Sequence, residues 1–186
     1  ALINFFQTSR GQAEGDPVNH PIRSSAALAK FDWYLSTANK LSVSYNFAYS
    51  RNENQTFDVA GYGNSANGIE GPSKIQSLNA NLFSTLSPRM VNEAHFTYSR
   101  ENRARSAVDS NGPADTAMGF VDTVRFWNPF FLQPNVDEIF WRSQIRDNFS
   151  IISGGHTIKG GGEGIHSLNE QGFRGVFTGR YIFDSV

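Results

Sequence analysis

Lys40-Leu41-Ser42-Val43-Ser44-Tyr45-Asn46-Phe47-Ala48-Tyr49-Ser50-Arg51 alternates without a break between apolar and small or polar residues. Leu41, Val43, Tyr45, Phe47 and Tyr49 fall on one side; Ser42, Ser44, Asn46, Ala48 and Ser50 fall on the other. A period of two over this length specifies a β-strand with one apolar face and one face able to meet water. The preceding stretch repeats it, with Ala29, Phe31, Trp33 and Leu35 set against Lys30, Asp32, Tyr34 and Ser36. The same pattern predicts strands over 26–36, 40–51, 74–87, 90–100, 137–152, 156–167 and 172–183. The polar face is charged in places: Arg142, Gln144, Arg146 and Asn148 alternate with Trp141, Ile145 and Phe149. Unpaired charge is costly in a packed interior, so such a face suits a water-filled space.

Composition narrows the classes. The chain has 186 residues, a formal net charge of −1, 39% hydrophobic and 13% aromatic residues, 17 Gly and no Cys. A balance this close to neutral supplies no basic field for nucleic acid, which is set aside as a partner. Without cysteine there are no disulfides, thiolate metal sites or thiol nucleophiles. No apolar run approaches the roughly 18–20 residues of a helical membrane span. The first residues lack a basic stretch and a cleavage site, so no secretory signal is visible. The strand pattern is still running at Ile182-Phe183, which reads as a piece of something longer.

The connections carry as much information as the strands. Thr37-Ala38-Asn39, Pro88-Arg89 and Ser153-Gly154-Gly155 read as tight hairpin turns. Between them lie long polar connections, 52–73 and 101–136, and a shorter one near Asn169-Glu170-Gln171. Short turns on one side and long loops on the other are the habit of outer-membrane barrels. The expected architecture is therefore all-β: an antiparallel hairpin meander forming part of a large transmembrane β-barrel. Residues 1–25 are expected to be a loop or entry segment, and 26–186 a partial barrel of about seven strands. A ring level is also expected: Tyr49, Tyr98 and Trp141 together near the outer interface, with Trp33 and Phe149 near the inner one.

Candidate chemistry is sparse. His20, His95, His156 and His166 have no HxxxH or HExxH spacing. The glycines around Gly160–Gly164 form neither a phosphate loop nor a dinucleotide fingerprint. Glu93, Glu138 and Glu163 could be imagined as paired carboxylates, but carboxylates are commonplace on a polar barrel wall. No serine sits in a G-x-S-x-G elbow. The expectation is a protein that is not an enzyme, with no catalytic, metal or cofactor residue to name and the substrate-binding residues unknown. Loop 101–136 carries Arg103, Arg105, Asp109, Asp115, Asp122 and Arg125, then Phe126-Trp127-Asn128-Pro129-Phe130-Phe131. That aromatic cluster is either a ligand platform or a small core folding the loop back over the barrel. Loop 52–73, with Asn52, Asn54, Asn64 and Asn67, reads as solvated.

Several segments carry a family resemblance. Ser87-Pro88-Arg89-Met90-Val91-Asn92-Glu93-Ala94-His95-Phe96-Thr97-Tyr98-Ser99-Arg100 resembles a hairpin of TonB-dependent outer-membrane receptors of the Oar-like type. Asp147-Asn148-Phe149-Ser150 with Gly155-His156-Thr157-Ile158-Lys159-Gly160-Gly161-Gly162-Glu163 is similar to a second hairpin of that family. Gly172-Phe173-Arg174-Gly175-Val176-Phe177-Thr178-Gly179 resembles the strand that follows, and Lys30-Phe31-Asp32-Trp33 with Asn39-Lys40-Leu41 an earlier hairpin. The resemblance implies a large barrel around a plug in the cell outer membrane. Its partners would be outer-membrane lipid, an unidentified scarce or large substrate, and the TonB system reached through a plug outside this stretch. The alternative is a secreted or surface β-sandwich that recognises glycans through exposed aromatics. The two differ in whether Phe31, Trp33, Tyr45, Phe47, Trp141 and Ile145 meet lipid or a sandwich core.

Overall fold

The computed structural model describes residues 2–10, 14–55, 66–109, 111–118, 124–132 and 135–184. Asn64 and Asp122, named above among the loop residues, lie outside the described residues. A helix, α1 (Leu2–Arg10), precedes nine strands: β1 (Ile22–Tyr34), β2 (Asn39–Gln55), β3 (Gly68–Ser87), β4 (Met90–Ala107), β5 (Asp115–Met118), β6 (Val124–Phe126), β7 (Val136–Ser153), β8 (His156–Gly172) and β9 (Arg180–Phe183). Six of them form one antiparallel sheet in the order β1-β2-β3-β4-β7-β8, and the short β6-β5-β9 form a second sheet. No described helix is long and apolar enough to cross a membrane, which has no bearing on crossing by strands.

Registers show the faces continuing from strand to strand. Phe31 pairs with Val43, Val43 with Ala80, Ala80 with Phe96 and Phe96 with Ile145. Trp33, Leu41, Leu82 and Ala94 form the neighbouring row on the same side. Cross-strand partners share a face, so these rows make a continuous apolar surface. Among the described residues nothing covers that surface. Phe31 is 61% exposed, Trp33 54% and Ile145 63%. A sandwich would bury them against a second sheet, so the sandwich reading fails on these residues.

Three expectations about the elements are corrected. The long connections are shorter than 52–73 and 101–136, because β2 continues to Gln55, β3 starts at Gly68, β4 reaches Ala107 and β7 starts at Val136. Backbone pairing persists there after both faces have become polar, held by pairs such as Asn52 Nδ2 to Glu70 Oε2 at 3.3 Å. Hydrophobic alternation therefore underestimates the strand ends. The first 25 residues are not simply a loop, since they hold α1 and the start of β1.

The seventh strand expected over 172–183 does not join the main sheet. The chain turns after Gly172, with Val176 at φ 60° and Gly179 at φ 89°. Val176 N–H donates to the Phe130 carbonyl at 3.0 Å, and β9 then runs parallel to β5. Left-handed backbone at these positions ends an extended run, whatever the side-chain alternation.

The shared ring level also fails. Tyr49 pairs with Lys74, in the row of Asn102; Trp141 pairs with Arg100 one step lower; Tyr98 lies lower still, in the row of Tyr45 and Leu78. Uniform strand tilt shifts successive strands by equal steps, and no single step brings these three rings to one height.

Glycine-rich β8 divides by function. A side chain at Gly161 would collide with the Asp147 carbonyl and the Asn148 side chain, whereas Gly160, Gly162 and Gly164 face open space. The latter three pair with Phe149, Asp147 and Ile145, so β8 makes the outward face flat beside them.

Candidate functional site

The polar face is hydrogen-bonded both across and along its strands. Thr97 Oγ1 donates to Asn79 Oδ1 at 3.1 Å, and the His95 ring nitrogen Nδ1 meets Asn81 Oδ1 at 2.7 Å. Arg142 Nη2 donates to Gln144 Oε1 at 3.0 Å, and the Gln144 amide reaches Glu163 on β8. Phe83, an aromatic on this polar side, stands edge-on to the His95 ring with centroids 6.0 Å apart. Nearer the long connections, Arg103 pairs with Glu101 at 2.9 Å and Arg105 with Glu138 at 4.0 Å. Glu101, Arg103, Glu138 and Phe140 line a shallow recess there. Its acids and bases are matched, so it suits a polar ligand better than a bare ion of either sign.

At that end the chain builds a small core. The buried apolar residues among those described are Phe6, Ala66, Ala107, Ala117, Phe126, Leu132 and Val136. Phe6 of α1 stacks on Phe126 with ring centroids 4.6 Å apart and meets Trp127 edge-on at 5.6 Å. The aromatic cluster of the second long connection is thus a satellite core, completed by the N-terminal helix. Ala107 and Val136 are the only buried residues of β4 and β7, and both lie on the polar side of the sheet. The satellite core accordingly leans over the polar face and leaves the apolar face free.

An ion cluster locks this core. Asp115, 1% exposed, accepts from Arg125 Nη2 at 2.8 Å and lies 3.1 Å from Arg180 Nε. Both guanidiniums stand 5.0 Å from the Phe130 ring centroid. Burial raises the Asp115 carboxyl above its ordinary value, against the opposing pull of Arg125 and Arg180. Burial likewise lowers the Arg125 guanidinium. Asn128, also buried, donates to the Asp109 carbonyl. The cluster ties the chain after β8 to the insert between β4 and β7.

The sequence candidates are dispersed. His95 lies on the polar face and His166 on the apolar face, where it contacts Trp141 with centroids 4.9 Å apart. His20 meets the Asn54 carbonyl near the start of β1, and His156 opens β8. Among the described residues no three His, Asp or Glu side chains gather as a metal site. Glu93 and Glu163 share the polar face in neighbouring rows, while Glu138 sits at the opposite end of β7. Sequence reasoning named Asp115 and Arg125 but missed Phe6 and Arg180, whose roles depend on contacts distant in the chain.

A sheet with an uncovered apolar face, a hydrogen-bonded polar face and an ordered insert over the polar side is the wall of a transmembrane β-barrel. The family described as outer membrane beta barrel domain matches residues 7–186, and the chain belongs to it. This places the chain in the cell outer membrane, its apolar face against lipid. No curated protein and no solved structure matches the chain.

Proposed function

We propose that the chain forms part of the barrel of a TonB-dependent outer-membrane receptor that takes up a scarce or large substrate. The observation that carries this reading is the run of family-like hairpins, above all Ser87 to Arg100 and Asp147 to Glu163, in the order the receptors use. The insert supports it: an ordered loop core over the polar face is what a substrate-selecting mouth requires. The recess lined by Glu101, Arg103, Glu138 and Phe140 would meet substrate below that mouth. No chemical step is assigned to any residue; the protein binds and passes its substrate unchanged. Site-specific crosslinking of the intact protein in cells to the periplasmic domain of TonB tests the reading. A crosslink that strengthens under substrate-replete growth is expected. Its absence under every growth condition would reduce the protein to a passive pore or wall.

A further inference from the structure

The outward face carries cations just where its apolar rows end. On β3, Leu82, Ala80 and Leu78 give way to Gln76 and Lys74; on β4, Ala94, Phe96 and Tyr98 give way to Arg100 and Asn102. Lys74 and Arg100 occupy diagonal positions on adjacent strands, because Lys74 pairs with Asn102 and Gln76 with Arg100. Such diagonal side chains start about 7–8 Å apart, within joint reach of one phosphate. Tyr49 pairs with Lys74 on one side and Trp141 with Arg100 on the other, so the cations are bracketed by amphipathic rings. Arg23 lies further up the same face on β1, opposite Arg51.

The charge there is not neutralised. Lys74, Arg100 and Arg23 are exposed and make no ion pair or side-chain hydrogen bond among the described residues. Arg51 is satisfied by Glu53 at 2.8 Å. The acid of this face in the row of Lys74 is Glu170, out on β8, paired with Ile139. An unpartnered cation pair between interfacial aromatics, facing lipid, complements anionic headgroups.

We propose that Lys74 and Arg100, framed by Tyr49 and Trp141 and extended by Arg23, bind the phosphate of anionic lipid headgroups in the leaflet nearer the long connections. The inference rests on the membrane placement and is independent of the transport reading. The side chains act as charge-assisted donors to the phosphate, flanked by the Tyr49 and Trp141 rings on the neighbouring strands.

The test uses the intact protein in vesicles of phosphatidylcholine with and without phosphatidylglycerol. The readout is the anionic-to-zwitterionic ratio of lipids retained in native mass spectrometry. A preference for the anionic lipid is expected, falling roughly five-fold per cation removed, by Lys74→Gln, by Arg100→Gln and further by both together. Swapping the cations, Lys74→Arg with Arg100→Lys, should keep the preference. An equal ratio in wild type, or a preference unchanged in the double variant, overturns the proposal. Competition by inorganic phosphate but not by sulfate at equal ionic strength would overturn the lipid assignment in favour of a free anion. If the neutral variants fail to give a heat-modifiable barrel, the salt dependence of wild type decides: a preference that does not weaken with salt refutes it.

Discussion

Asp115→Ala removes the shared partner of two guanidiniums. In wild type Asp115 holds Arg125 at 2.8 Å and Arg180 at 3.1 Å, with both cations over the Phe130 ring. Without the carboxylate, the buried Arg125 retains its charge and loses its ion-pair partner. Breaking a buried pair from one side costs about 3–5 kcal/mol, most of it the uncompensated charge. At about 1.4 kcal/mol per decade this is roughly two to three and a half orders of magnitude in the opening equilibrium of the insert. The loss should be local, because β5, β6 and β9 form a sheet separate from the six-stranded wall. Hydrogen exchange of the intact protein in lipid measures it. Amides of Asp115–Met118 and Arg180–Phe183 should lose protection, while Asn39–Gln55 and Val136–Ser153 keep theirs. Asp115→Asn, a neutral side chain that keeps an acceptor for Arg125, should stay close to wild type. Unchanged exchange at Asp115–Met118, or equal loss throughout the wall, would refute the reasoning.

Acidification should not open this cluster. The folded carboxyl titrates above its ordinary value, so the folded state binds its proton more readily than the unfolded chain. Its contribution to stability therefore grows as pH falls through the window just above the ordinary carboxylate range and shrinks as pH rises through it. A protection factor at Asp115–Met118, taken relative to the intrinsic exchange rate at each pH, that is larger at pH 7 than at mildly acid pH would contradict this. Phe6→Ala should cost the satellite core about 3–5 kcal/mol by opening the stack on Phe126, read as a loss of exchange protection in Leu2–Arg10 and Val124–Phe126 together. Gly161→Val should lower the yield of heat-modifiable barrel, because its side chain meets the Asp147 carbonyl, whereas Gly162→Val faces open space and should fold like wild type.

The parts of the fold legible in the sequence are those that depend on near neighbours in the chain. Alternation in Leu41–Tyr49 reported the two faces, and the turns at Pro88-Arg89 and Gly154-Gly155 set the hairpin order seen in the six-stranded sheet. The strand ends were less legible. Above Tyr49 and Tyr98 the pairing continues between polar residues on both faces, and a hydrophobic period has nothing left to report. The segment Gly172–Gly179 shows the opposite failure: it alternates like a wall strand, yet left-handed backbone at Val176 and Gly179 turns it toward Phe130. A motif that reads as β locally is redirected by a contact with a residue far earlier in the chain.

The candidate site divides along the same line. The aromatic cluster at Phe126–Phe131 was visible as a cluster but not as a choice between platform and core. The choice is made by Phe6, more than a hundred positions away, and by Arg180, which meets Asp115 only after β8 has returned the chain to the long-connection end. These are the contacts that give the wall an ordered cap on its polar side without spending any of its apolar face. Lys74 and Arg100, by contrast, are single departures from alternation that look like noise within either strand. Only the β3–β4 register puts them diagonally together, with Tyr49 and Trp141 on either side. A cation that interrupts one apolar row is an imperfection; two that meet across a strand boundary between aromatic rings make the surface proposed for anionic headgroups.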